Sequence, residues 1–176
     1  MTLQETVDPF AQWREGATLV IQRWLPGPAE RIWQYLTDSD LRRQWLAAGD
    51  MTLAPGAPLE LVWRNDDLSH GDDPRPDGFS GEHRMQSHVI AADPPRLLSF
   101  AWGQGAVTFE LREKGDRVLL TVTHTGLDDG GARTMIAAGW HMHLDILGAV
   151  AMDRPAASFW SGWTALRATY RDRLPA

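Results

Sequence analysis

Between Val107 and His124 the sequence alternates with a period of two, and nothing else in the chain restricts its fold as much. Val107, Phe109 and Leu111 alternate with Thr108, Glu110 and Arg112, and Val118, Leu120, Val122 and His124 continue the apolar parity after Lys114-Gly115-Asp116. Such alternation marks strands with one buried face. A turn this short folds them back on each other as an antiparallel hairpin. Leu98, Phe100 and Trp102 alternate in the same way just before the turn at Gly103 to Gly105. The result is an antiparallel meander with one apolar face that needs a cover. A cover follows: Ile136, Gly139, Trp140, His143, Leu144 and Leu147 recur at three- and four-residue steps, the stripe of an amphipathic helix.

The rest of the chain fits around this pairing. Residues 1–17 show no period and are expected to form an N-terminal arm, ahead of a single domain over 18–176. Thr18 to Leu25 reads as a strand, rich in β-branched and large apolar residues. Pro26-Gly27-Pro28 ends it, and Pro28 suits a first helical turn. Ile32, Trp33 and Leu36 then recur at helical spacing. Asp38 is placed to cap a second short helix, with Leu41 and Trp45 on one face. Strands are expected at Met51-Thr52-Leu53, from Leu59 to Arg64 and from Phe79 to Ala91, with a turn at Asp93-Pro94-Pro95. Asn65 to Gly78 is polar and reads as a long exposed loop. The closing helix is expected over about residues 130–152, capped by Asp128 or Asp129 and ended by Asp153-Arg154-Pro155. An additional helix is expected over about 155–173, with Phe159, Trp163, Leu166 and Tyr170 on its apolar stripe and Trp160 beside it.

A length of 176 residues suits one domain with a substantial core. With no cysteine, disulfides, thiol nucleophiles and cysteine metal sites are excluded. A net charge of −6, with the arginines scattered, argues against nucleic acid as a partner. No apolar run reaches the length of a membrane span, and the acidic start, with Glu5 and Asp8, lacks a signal-peptide layout. A soluble cytoplasmic protein is expected.

Several short motifs combine: Arg23 with Leu25-Pro26-Gly27-Pro28, Ile32-Trp33, Leu36-Thr37-Asp38, Trp45-Leu46, Asp93-Pro94-Pro95-Arg96-Leu97-Leu98 with Trp102, and Gly139-Trp140 with Leu144 and Leu147. From about Leu19 to about Leu147 the chain resembles the START-like (SRPBCC) helix-grip superfamily. Within it, the chain resembles the family named for homology to the activator of the heat-shock protein 90 ATPase. The resemblance implies an α+β helix-grip fold, in which a curved antiparallel sheet wraps around a long C-terminal helix, with two short helices after the first strand. The helix after Pro155 would be an addition at the C-terminus. Lipid binders, hormone receptors, polyketide cyclases and aromatases all occur in the superfamily, so the analogy supports binding of something apolar and names no reaction. The chaperone activators carry a separate N-terminal domain. Only a short arm stands there in this sequence, so direct chaperone activation is not expected.

Strand parity and the helix stripe select a candidate lining for a pocket between sheet and helix. The sheet would supply Trp63, His83, Met85, Phe100, Trp102, Phe109 and His124; the helices would supply Trp33, Trp140, His143, Leu144 and Leu147. His141 and His143 are two positions apart, a rotation of about 200°, so their rings leave on nearly opposite sides. A helical metal pair needs three- or four-residue spacing. His143 is expected to face the sheet, as a core imidazole bonded to a strand residue or as a polar contact to a ligand. His124 is either a pocket polar group or a rim residue. A cluster of His83, His124 and His143 would suit metal binding or acid–base work. No nucleophile sits in an activating motif, and no catalytic residue, metal or cofactor is assigned. Glu60, Glu82 and Arg84 can place charge at the cavity mouth. Asp66, Asp67, Asp72, Asp73 and Asp77 lack a calcium-loop pattern, and a solvated loop able to move as a lid is expected.

The leading expectation is a binding module, without catalysis, for a small hydrophobic or amphipathic molecule. The alternatives are an enzyme of polyketide cyclase, aromatase or hydrolase type, and a co-chaperone or other protein-interaction module. Phe159, Trp160 and Trp163 either cover the sheet or form a homodimer face.

Overall fold

The alternating segments pair as their parity requires. A computed structural model describes residues 4–173. Among these, seven strands form one antiparallel sheet: β1 (Gln12–Arg14), β2 (Thr18–Pro26), β3 (Pro58–Trp63), β4 (His83–Asp93), β5 (Leu97–Trp102), β6 (Gly105–Lys114) and β7 (Arg117–His124). Their spatial order is β1-β2-β7-β6-β5-β4-β3. Phe109 lies opposite both Leu98 and Val122, and Val107 opposite both Phe100 and His124. The apolar parities of three strands therefore merge into one face. Ile21 of β2 extends that face opposite Val122, and Val89 of β4 extends it opposite Phe100.

Four α-helices accompany the sheet among the described residues: α1 (Ala29–Thr37), α2 (Ser39–Arg42), α3 (Gly130–Ala151) and α4 (Phe159–Arg173). The long helix α3 lies against the apolar face, with Trp140, Leu144 and Leu147 buried, and α4 packs on α3. This is the helix-grip α+β arrangement. Asp38 caps α2 by accepting from the amides of Asp40 and Leu41, and Asp129 caps α3 through Gly131. No helix among the described residues is long and apolar enough to cross a membrane.

Four local expectations need revision, the first being that the strand expected from Phe79 to Ala91 runs from His83 to Asp93, with Phe79 in the loop before it. The aperiodic arm, whose residues 1–3 lie outside the described ones, contributes β1, paired with β2 through Trp13 and Leu19. Tertiary contact supplies what periodicity lacks, since Arg133 stacks on the Trp13 ring at 4.1 Å. Met51-Thr52-Leu53 makes only a single bridge, Met51 to Leu59, because the chain turns at once through Ala54. Helix α2 stops at Arg42, short of the one-faced helix expected through Trp45.

That stop has a cause. Arg42 is 1% exposed, and its guanidinium donates to the carbonyls of Leu36, Thr37, Ala47 and Gly49. Leu36 and Thr37 are the last residues of α1, where helix carbonyls lack intrahelical partners and carry partial negative charge. One cation thus closes α1 and ties it to the segment that returns toward the sheet. Burial pulls its pKa down to about 10, with Asp38 and Asp50 acting in the opposite direction.

A second polar tie holds α3, α4 and the N-terminal segment together. The Ala11 amide donates to the Tyr170 hydroxyl at 2.7 Å, and that hydroxyl meets His141 Nδ1 at 2.8 Å. His141 Nε2 faces the Asp145 carboxylate at 3.5 Å, so the proton sits on Nε2 and Nδ1 accepts from the tyrosine. Asp145 also accepts from Arg23, which donates in turn to the Pro9 carbonyl. Burial lowers the His141 pKa to about 4 and raises that of Tyr170 to about 12. The buried His124 and His143 shift the same way as His141, each to about 4.

Arg42→Met should lower the unfolding free energy by about 3–5 kcal/mol, because it leaves four carbonyls short of a donor. Arg42→Lys should cost roughly 1–3 kcal/mol, since an ammonium cannot span all of them. Urea denaturation followed by circular dichroism measures both, and a loss below about 1 kcal/mol in R42M would show that the carbonyls find other partners. The histidines give a pH prediction. Their folded values lie below the unfolded value of about 6.5, so the unfolded chain binds more protons between about pH 6.5 and pH 4. Their stabilising contribution is complete above that window and falls as the pH drops through it. At pH 5 the slope of unfolding free energy against pH should decrease by about one bound proton in His141→Gln, and an unchanged slope would contradict the burial argument.

Candidate functional site

A cavity of about 380 Å³ opens where the apolar face runs past its covers. The sheet supplies residues at strand ends: Trp63 closes β3, His83 opens β4 and Trp102 closes β5. Helix α3 supplies Met135, Ile136, Gly139, Trp140 and His143 from its first fourteen residues. Helix α4 supplies Phe159, Trp160 and Trp163 from its first turns. Leu46, Asn65 at the start of a short 3-10 turn, and the loop residues Gly78, Phe79 and Ser80 complete the wall. None of these side chains is a lysine, arginine, aspartate or glutamate.

Gly139 explains part of the space. It lies inside a 22-residue helix, and a Cβ built on it would meet no heavy atom within 4 Å other than those of its chain neighbours and its own helical turn. A glycine there costs about 1 kcal/mol relative to alanine. No packing reason offsets that cost, yet Trp140 beside it is buried.

The aromatic walls are pinned. Trp140 Nε1 donates to His124 Nδ1 at 3.0 Å, Trp160 Nε1 to Asp66 Oδ1 at 2.8 Å, and Trp163 Nε1 to the Met135 carbonyl at 3.2 Å. Trp63 and Trp102 lie with ring centroids 5.3 Å apart. Phe79, 37% exposed, packs on Trp160 and Trp163 at 5.4 and 5.1 Å. Indoles held at both the ring and the N–H cannot collapse into the space as free side chains would.

The structure separates the histidines. His143 lines the cavity, and its Nδ1 donates to the Trp45 carbonyl at 2.7 Å, in the turn after α2 and not on a strand. His124, 1% exposed, is neither a pocket polar group nor a rim residue. It stands behind the wall, 4.8 Å from the Trp102 ring, and fixes Trp140. An indole N–H only donates, so His124 Nδ1 is the acceptor and Nε2 carries the proton, buried and without a protein partner. His83 is exposed at the mouth, 5.5 Å from the Trp63 ring. No single acid–base centre gathers the three. No group of three or more histidine, aspartate or glutamate side chains is placed to hold a metal among the described residues.

Of the residues selected from the sequence, Trp63, His83, Trp102, Trp140 and His143 line this cavity. Trp33, Phe100, Phe109, Leu144 and Leu147 are buried in the core beside it, and Met85 is half-buried against that core. Parity selects the correct face, but those positions lie where the core is filled. Glu60, Glu82 and Arg84 form an exposed ion-pair cluster with Arg64, off the cavity lining. The acidic loop is not merely solvated. Asp73 accepts from Ser158 Oγ and from the Ser161 amide, and hydrogen bonding to them holds its carboxyl below the usual range against the effect of burial. Asp66 accepts from both Trp160 and Arg75. The loop is therefore a strap over the start of α4. Sequence reasoning missed Phe159, Trp160 and Trp163 as lining, along with Phe79. The aromatic spacing on α4 was visible, but nothing local shows which loop crosses it.

Comparison with known proteins agrees with this architecture. A solution structure of a protein from Bordetella parapertussis is 30% identical over 100% of this chain and 97% of that one, with a TM-score of 0.76. A conserved protein of unknown function from Enterococcus faecalis is 19% identical, covering 93% of this chain and 89% of that one with a TM-score of 0.69. The crystal structure of CalU16 from Micromonospora echinospora is 19% identical, with 88% and 86% coverage and a TM-score of 0.64. No functionally curated protein matches the chain. The sequence profile described as "Activator of Hsp90 ATPase homolog 1-like protein" matches residues 26–151, within the START-like superfamily, and the chain belongs to that family.

Proposed function

We propose that this chain is a binding protein for a small hydrophobic or amphipathic molecule, held in the cavity between the sheet end, α3 and α4. The observation that carries the reading is Gly139. Local propensity disfavours it, its missing side chain relieves no clash, and it keeps open a space walled by five tryptophans. Departures from local preference that leave packing unimproved are expected at functional sites. A concave, mainly apolar site with a few fixed polar groups is the usual form of a small-molecule pocket. The pinned indoles add to this, because a wall ordered beforehand loses little freedom on binding.

The test separates the space from the fold. Gly139→Ala should stabilise the protein by about 0.5–1 kcal/mol through helix propensity alone. Gly139→Leu should keep the fold and fill the cavity. Tryptophan fluorescence titrated with fatty acids, aromatic compounds and isoprenoids should reveal saturable quenching by at least one class. The apparent affinity for that class should fall more than tenfold in G139L. Quenching by no class, or equal quenching in G139L, would overturn the proposal.

A further inference from the structure

The lining has one buried polar group whose bonding is fixed on one side and open on the other. His143 is 6% exposed, and its ring lies 4.7 Å from Phe159. Its Nδ1 must carry the proton, because the Trp45 carbonyl that it meets can only accept. A neutral imidazole has a single N–H, so Nε2 presents a lone pair. The sealed, unpaired side-chain atoms of the described residues are Trp24 Nε1, Asn65 Oδ1, His124 Nε2 and Arg167 Nε. His143 Nε2 is not one of them and has no hydrogen-bond partner among the described residues, so it keeps access to open space, and because His143 lines the cavity that space is the cavity.

Resting on the ligand-binding reading above, we infer that the cavity selects neutral aromatic molecules that carry a hydroxyl group, with the ligand O–H donating to His143 Nε2. Aromatic character follows from the walls, since indole and phenyl rings offer offset or edge contacts to another ring. Neutrality follows from the absence of a charged lining residue, because a carboxylate would lose its hydration without a counter-charge and face the Nε2 lone pair. The hydroxyl requirement follows from the acceptor. An apolar ligand would cover Nε2 and leave it unpaired, and sites built around a hydrogen bond discriminate strongly against analogues that lack it. A quaternary ammonium is the competing class, because tryptophan faces attract cations. No lining carboxylate supports it, and it would offer Nε2 no donor.

Isothermal titration of the intact protein at pH 7 with 2-naphthol, 2-methoxynaphthalene, 2-naphthoate and a naphthyl-trimethylammonium salt tests this. In the unmodified protein 2-naphthol should bind at least tenfold more tightly than 2-methoxynaphthalene, which keeps the rings and oxygen but loses the donor. Neither charged probe should match it. His143→Leu should reduce the naphthol-to-ether ratio to within about twofold, and Gly139→Leu should weaken both compounds together. Equal affinities for naphthol and ether in the unmodified protein would overturn the inference while leaving the binding reading intact. So would tighter binding of the ammonium probe, or a ratio unchanged in H143L. Failure of every probe to bind, with no quenching by the wider panel, would overturn both.

Discussion

The apolar face of the sheet is wider than any one helix can cover. Seven strands at about 4.8 Å spacing span roughly 29 Å, whereas a helix with its side chains is about 10–12 Å across. Helix α3 therefore covers only part of the face. The remainder needs other cover, or side chains long enough to bridge. Near α1 and α2 the solution is dense packing, with Trp45, Ile32 and Leu36 fully buried. At the opposite end the covers are α4 and the strap from β3 to β4, and they do not fill the space. The cavity is what remains of a coverage problem solved fully at one end and partly at the other.

Polar contacts decide which end is which. Arg42 draws the end of α1 and the following turn onto one guanidinium, and that turn carries Trp45. Trp45 then provides both a buried indole and the carbonyl that orients His143. At the other end, the strap reaches α4 through Asp66 and Asp73, which sets Phe79 and Trp160 in place without filling the gap. Histidines at 124, 141 and 143 are all buried and all shifted toward neutrality, yet they act differently. One fixes a wall, one joins helices, and one faces the cavity.

The fold was largely legible because it rests on periodicity. Alternation from Leu97 to His124 and the α3 stripe are local patterns, and antiparallel hairpins convert them directly into a sheet with one covered face. The opposite directions of His141 and His143 follow from helical geometry alone. The site was legible only in part. Trp102, Trp140 and His143 lie on those periodic elements, so parity reaches them. Phe79 sits on a loop whose path is set by aspartates bonding to residues some 90 positions later, and no window of sequence contains both partners. Arg42 gave no signal either, since Arg42 and Arg43 are indistinguishable in sequence, while only the first is buried.

Membership of the family does not transfer a ligand, and the geometry says why. The family match ends at residue 151. Trp63, Trp102, Trp140 and His143 fall inside it, but Phe159, Trp160 and Trp163 fall outside. The matched core thus supplies strands β3 to β7, α3 and His143, while the far wall comes from an extension. A fold of this kind without an equivalent of α4 would leave that side of the cavity without Phe159, Trp160 and Trp163. The B. parapertussis protein matches over 100% of this chain, so that comparison extends past the end of the family match to the α4 residues of the wall. The family core accounts for the walls given by the strands and α3, and α4 shapes the side that lies beyond it.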